Sequence, residues 1–143
     1  MYIKQISVFV ENKKGRLAEI TEALAAHQID ISAMSIADTT DFGILRLIVN
    51  RPDEAESVLR ELGFAVKTTQ VIAIEVKNQP GGLAAALKKL NEEYISIEYM
   101  YSFVTKTAGE ALVIMRVESP EQAVAALDSI GVRALSQEEV GRL

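Results

Sequence analysis

The chain has no cysteine and no tryptophan, and only one histidine and three prolines among 143 residues. Without cysteine there is no disulfide, no thiolate nucleophile and no thiolate-bound zinc. The one histidine, His27, falls where the first helix is expected to end. An imidazolium there suits the helix dipole, so His27 reads as structural and no Ser/His/Asp set is built around it. No apolar run reaches the roughly 18–20 residues that span a bilayer. Neither Gly-x-x-x-x-Gly-Lys nor Gly-x-Gly-x-x-Gly occurs, so no phosphate-cradling loop is legible. Positive charge is also short: 15 Lys and Arg stand against 20 Asp and Glu, a net charge of −5. Lys13-Lys14 and Lys88-Lys89 are too sparse for the basic surface that nucleic acid or an anionic membrane needs. Asp38 and Asp41 share a loop and read as solvated acids. Met1-Tyr2-Ile3-Lys4 runs straight into an alternating strand with nothing of a signal peptide, so a cytoplasmic chain is expected.

What is present is a repeat. Ile6-Ser7-Val8-Phe9-Val10-Glu11-Asn12, with Gly15 and Leu17, returns as Ile72-Ala73-Ile74-Glu75-Val76-Lys77-Asn78, with Gly81 and Leu83. Pro52, Ala55, Leu59 and Gly63 return as Pro120, Ala123, Leu127 and Gly131, two residues further on. The duplication therefore spans nearly the whole chain, with two residues inserted near Lys106–Gly109. Hydrophobic residues make up 49% and charged residues 24%, an ordinary globular composition. We expect two units, residues 1–68 and 69–143, joined by Lys67-Thr68-Thr69-Gln70. Units of about 70 residues bury modest cores and gain by packing on each other.

Each unit reads strand, helix, two strands, helix, strand. Ile6, Val8 and Val10 alternate at period two, whereas Leu17, Ile20 and Leu24 recur at helical spacing. Ile29 to Thr39 and then Leu45, Leu47 and Val49 give two more strands around the loop Asp38-Thr39-Thr40-Asp41. Pro52 opens the second helix, Gly63 ends it, and Phe64–Val66 is a short fourth strand. The second copy repeats this, with strands near Ile95–Thr105 and Glu110–Glu118 and a short one near Val132–Leu135. Ser136 and Glu139 stand at capping-box spacing. The fold class is α+β: two ferredoxin-like βαββαβ units, each a four-stranded antiparallel sheet with both helices on one face. Phe9, Ile44, Ile48, Leu112 and Ile114 should then point away from the helices. So apolar a face is expected to pack on another sheet, within the chain or in a homodimer.

The element strand–Asn-x-x-Gly-x-Leu–helix, at Asn12/Gly15/Leu17 and Asn78/Pro80/Gly81/Leu83, resembles the ACT domain. So do Gln28-Ile29-Asp30-Ile31 and Tyr94-Ile95-Ser96-Ile97, which are similar to the family's opening of its second strand. The whole chain looks like a stand-alone pair of such units without a catalytic domain. The resemblance implies a non-catalytic, allosteric amino-acid sensor that needs no cofactor or metal and is read by an enzyme or transporter of amino-acid metabolism. It implicates Asn12, Lys13, Gly15, Arg16 and Leu17 in the first loop, and Asn78, Gln79, Gly81, Gly82 and Leu83 in the second. In the family a neighbouring unit's second strand completes the pocket, which brings in Asp30, Met34, Ser35, Ser96, Met100 and Tyr101. A zwitterion needs donors for its carboxylate and acceptors for its ammonium. Amides at the helix start and the Asn side chains offer donors, and Asp30 an acceptor. Lys14 stands where the family often has Pro, and Asp30 and Ser96 replace its Asn, so the two loops differ. Two other readings compete: a small oligomeric enzyme using interface residues, and an RNA-binding ferredoxin-like protein. The acidic charge and Ile44-Leu45-Arg46-Leu47-Ile48 on a central strand weigh against RNA.

Overall fold

The computed structural model describes residues 1–38, 41–104 and 109–143. Along them run β1 (Ile3–Glu11), α1 (Arg16–Ala26), β2 (Ile31–Asp38), β3 (Phe42–Val49), α2 (Pro52–Glu61) and β4 (Ala65–Lys77). Then follow α3 (Gly82–Glu92), β5 (Ile97–Ser102), β6 (Glu110–Val117), α4 (Pro120–Asp128) and the short α5 (Gln137–Gly141). Of the expected loop and insertion, Thr39, Thr40 and residues 105–108 lie outside the described residues.

The repeat is visible in detail. The cross-strand pairs Val10↔Gly43 and Ile36↔Leu45 return as Val76↔Ala111 and Ser102↔Val113. The register slips at Ile31/Ala33 in β2 and again at Ile97/Tyr99 in β5. Gln28 and Tyr94, one before each second strand, both hold a left-handed backbone with φ of 58° and 57°. Both second helices open on a proline whose missing N–H costs nothing there. Ser136 and Glu139 form the expected capping box on α5.

One expectation is corrected. Lys67-Thr68-Thr69-Gln70 does not link two separate sheets; it is the middle of β4. Thr68 and Thr69 are β-branched and lie opposite Ile6 and Gln5, so β1 takes up backbone groups that a loop would leave to water. Residues 65–71 pair with β1, and 72–77 pair with β6. The result is a six-stranded antiparallel sheet in the order β2-β3-β1-β4-β6-β5. The expected last strand shrinks to a bridge between Ala134 and Ile74. It is held by the Leu135 N–H donating to the Ala73 carbonyl at 2.7 Å and the Glu75 N–H donating to the Arg133 carbonyl at 3.0 Å. The first repeat thus has four strands and two helices, and the second has three strands, a bridge in place of the fourth, and two helices, with β4 as last strand of one and first of the next.

Sharing a strand fixes which way each half faces. Successive side chains of a strand point to opposite faces. Val66 packs under the helices of the first half, and Ile72, Ile74 and Val76 under those of the second. All four are even positions on one strand, so both helical layers lie on the same side of the sheet. The first core gathers Ile6, Val8, Ile20, Leu24, Leu45, Leu47 and Leu59; the second gathers Ile72, Ile74, Leu90, Met115 and Leu127. Each fully buried Leu or Ile contributes about 1.5–3 kcal/mol of transfer free energy.

The other face buries itself by curling. Ile3, Ala33, Ile48, Val71, Ala73, Phe103, Leu112, Ile114, Leu135 and Val140 form a third cluster. The sheet-to-sheet packing expected for Ile48, Leu112 and Ile114 therefore occurs between the halves of one chain. The edges meet where Ala33 bridges Phe103 and the Val104 N–H donates to the Ser32 carbonyl at 2.9 Å. Large side chains of β5 stand where β2 has small ones at equivalent places: Tyr99, Tyr101 and Phe103 against Ala33, Ser35 and Ala37.

At the centre sits a polar key. Gln5 has no solvent exposure. Its Nε2 donates to the Tyr99 hydroxyl at 2.7 Å and to Ser7 Oγ at 3.3 Å, while the Tyr101 hydroxyl donates to its Oε1 at 2.6 Å. The Arg46 guanidinium lies 3.7 Å from the centre of the Tyr99 ring. We expect Gln5→Ala to cost about 2–4 kcal/mol in urea unfolding, because it opens a cavity and strands two phenol hydroxyls. Burial, and secondarily Tyr99, push the Tyr101 hydroxyl well above its ordinary value of 10.0, with Arg46 opposing. Its contribution is therefore complete below pH 10.0 and is lost as pH rises beyond it, because the unfolded chain releases the proton first. Tyr101→Phe should flatten the alkaline limb of a stability–pH curve.

Candidate functional site

Loop geometry starts from a glycine. Gly15 caps α1 with φ of 88°, and Gly81 caps α3 with φ of 87°. A side chain would strain either turn, whatever the space around it. In the first turn the Lys13 N–H donates to the Glu11 carbonyl at 2.7 Å and the Asn12 N–H to the Asp41 carbonyl at 3.4 Å. In the second, Gln79 donates to Lys77 and Asn78 to Gly109 in the same way. The Gly82 N–H is taken by the Gln79 carbonyl at 3.0 Å, whereas Arg16 reaches Lys13 only at 3.5 Å. The second turn is the tighter.

Beside the first turn is a pocket of about 240 Å³, lined by Val10, Glu11, Asn12, Lys13, Arg16, Leu17, Ile36, Asp38, Gly43 and Leu45. Strand alternation places Val10 and Leu45 on the helix side as an apolar floor, buried in the first core. Ile36 faces Leu45 across the β2–β3 pair and joins Leu17 of α1 as an apolar lip. Those lips are open: Leu17 is 40% exposed and Ile36 is 49% exposed. Arg16 is steadied by Glu19, which accepts from Nη1 at 3.1 Å, and it leans over the Phe64 ring at 5.8 Å. A guanidinium carries five N–H donors, so this pairing leaves donors in hand. Lys13 pairs with Glu11 at 2.8 Å, and that contact holds the Glu11 carboxyl below the usual range. The pocket thus combines an always-charged cation, an amide and an acid around an apolar floor.

Of the residues singled out in the sequence, this pocket gathers Asn12, Lys13, Arg16 and Leu17, with Gly15 supplying the turn. Its second-strand wall is Ile36 and Asp38 of the same half, and no described residue of the second half lines it. Asp30 stands just before β2, at the end away from this pocket, and its N–H donates to Asn50 Oδ1 at 2.9 Å. Met34 is opposite Leu47 on the helix side and Ser35 is opposite Arg46 on the inner side. Met100 likewise faces the helix side, and Tyr101 turns inward to Gln5. Ser96 lines a separate shallow depression with Leu87, Asn91, Tyr94, Ile95 and Ile97. In the second turn, a Cβ on Gly82 would stand 2.0 Å from the Lys77 carbonyl oxygen.

The sequence reading missed Val10, Glu11, Ile36, Asp38, Gly43 and Leu45 as pocket walls. The alternation of the first strand marked Val10, but only the β2–β3 register shows that Ile36 and Asp38 come alongside it. Among the described residues no cluster of His, Asp or Glu is arranged to hold a metal, and no helix is long and apolar enough to cross a membrane.

Gly82→Ala should lower stability by about 2 kcal/mol or more, since backbone must move to admit the methyl group. Arg16→Ala, at the equivalent place in the open turn, should change it by under about 1 kcal/mol. Chemical denaturation of the two variants checks both.

A family model covers nearly the whole chain, and solved structures share its fold. The family model described as an ACT domain pair matches residues 1–138. The crystal structure of protein BT0572 from Bacteroides thetaiotaomicron is 42% identical over 100% of this chain and 98% of that one, with a TM-score of 0.94. The regulatory subunit of aspartate kinase from Thermus thermophilus, in a ligand-free form, shares the fold at 17% identity and TM-score 0.66, over 88% of this chain and 91% of that chain. Aspartate kinase from Clostridium acetobutylicum also shares it, at 12% identity and TM-score 0.58, over 88% of this chain and 32% of that chain. No curated protein matches the chain. With residues 1–138 matched by that model, the chain belongs to the ACT domain pair family.

Proposed function

We propose that this chain is a non-catalytic regulatory protein made of two ACT units, residues 1–68 and 69–143, that binds a free amino acid beside a β1–α1-type turn. The observation that carries the reading is the pocket at Asn12, Arg16 and Asp38. A carboxylate finds Arg16, the Asn12 amide and the first-turn amides of α1, which have no intrahelical carbonyl to bond. An ammonium finds Asp38 and the Asn12 side-chain oxygen. The aliphatic portion meets Val10, Leu17, Ile36 and Leu45. Gly15, Lys13 and Glu11 shape the rim rather than supply the main charges.

The regulatory reading follows from where the pocket lies. It is bounded by α1, β1 and the β2–β3 pair, and β2 is also the strand whose edge meets β5. A ligand that pulls Asp38 and Ile36 toward α1 acts on the closing edge of the curl. Coupling of about 1–3 kcal/mol between such sites is typical. The reader of that change would be a separate enzyme or transporter of amino-acid metabolism, as the subunit role of the Thermus thermophilus protein allows. A homodimer would present two such edges to it.

The twenty amino acids, each at millimolar concentration in a thermal-shift assay, test the reading. We expect at least one to raise Tm by several degrees, since a hundredfold excess over Kd stabilises by about 2.7 kcal/mol. No shift with any of them would defeat it.

A further inference from the structure

We infer that the chain holds one ligand, in the first half only, and that this ligand is an amino acid with an apolar side chain. The inference rests on the amino-acid reading above and narrows it. It comes from laying one half on the other by strand register and by the matching glycine caps, and counting on from these to the flanking residues. Val10↔Gly43 corresponds to Val76↔Ala111, and Ile36↔Leu45 corresponds to Ser102↔Val113.

The groups that would hold a zwitterion do not survive that comparison. Arg16 becomes Gly82, so the carboxylate loses its cation. Asp38 becomes Val104, so the ammonium loses its acid. Glu11 becomes Lys77, which reverses the remaining charge on that strand end. Of the side chains that would hold the zwitterion, the asparagines Asn12 and Asn78 are common to both, and the first-turn amides recur in α3. Asn78 can still hydrogen-bond either ionised end of a zwitterion, but it brings no opposite charge to pair with either one.

The second turn is also closed to the missing cation. The Cβ of any residue at Gly82 would fall 2.0 Å from the Lys77 carbonyl oxygen, and that oxygen is backbone. The tight turn and the lost charge are one feature, because Gly82 permits the close approach only by having no side chain. The first half keeps Arg16 and the looser 3.5 Å contact to Lys13.

The side-chain class follows from the walls. The floor is Val10 and Leu45, both in the first core, and the lips are Leu17 and Ile36. A charged side chain set among these four would lose its water, and the rim charges nearest it, Lys13 and Glu11, are already paired with each other. An apolar one would cover lips that are otherwise open to solvent. In the second half Ile36 is replaced by Ser102, so this lip is lost as well. The volume of about 240 Å³ lies just below the roughly 300–1,000 Å³ of sites for drug-sized ligands, which suits a smaller one.

Isothermal titration of the full chain with leucine, methionine, aspartate and lysine decides the matter. We expect leucine or methionine to bind with a stoichiometry near one per chain, at least tenfold more tightly than aspartate or lysine. Arg16→Gly, which writes the second half's residue into the first, should weaken binding at least tenfold, and Ile36→Ser should do so for leucine. Lys77→Ala, beside the second turn, should leave the titration as it is. Circular dichroism and an unchanged urea midpoint show that each variant is folded. A stoichiometry near two, equal or tighter binding of aspartate or lysine, or undiminished binding by folded Arg16→Gly would overturn the inference while leaving the amino-acid reading intact. Failure of all twenty amino acids in the thermal-shift assay would instead remove the reading itself.

Discussion

A single strand that belongs to both halves is the constraint on which the rest depends. β4 gives its first part to β1 and its second part to β6. Because a strand alternates its faces with a period of two, Val66 and Ile72 must look the same way. Both pairs of helices therefore cover one side of the sheet, and the other side is left with Ile3, Ile48, Val71, Ile114 and their neighbours to bury. Among the described elements only the tail, through Leu135 and through Val140 of α5, adds cover to that face. Curling the sheet until β2 and β5 meet is how that face is removed from water. A one-residue slip within β4 would turn the second half's apolar set outward.

The curl is given a unique register by size and by hydrogen bonding. Hydrophobic contact alone is non-directional and would tolerate sliding of one half on the other. The aromatic side chains Tyr99, Tyr101 and Phe103 opposite a strand of small residues permit one fit. Gln5 adds the directional element, since its buried amide is fully paired only when Tyr99 and Tyr101 are both in place.

The two halves have kept the fold and divided the chemistry. The β-bulge, the left-handed residue before the second strand, the helix-opening proline and the terminal glycine all recur. What has diverged is the set of side chains around the first turn, together with the tail. Glu75 stands where the first half has Phe9, and it pairs with Arg133, which also binds Glu139 of α5. Phe9 itself remains 43% exposed. The tail thus closes the second half at a place where the first has an open aromatic ring.

Local sequence determined the elements, their order and their twofold recurrence, because periodicity, glycine at positive φ and proline at a helix start are properties of neighbouring residues. It also marked Asn12, Gly15 and Arg16 as a turn before a helix. It misread Lys67–Gln70, since four polar residues look alike whether they cross a gap or pair with a strand sixty residues away. Which side of the sheet Ile48 and Ile114 would cover, that Gln5 would be its buried key, and that Ile36 and Asp38 would wall the pocket were decided only by tertiary structure. Each of those depends on the pairing of distant strands and the curl that pairing imposes, and a side chain's partner across such a seam leaves no trace in the residues beside it.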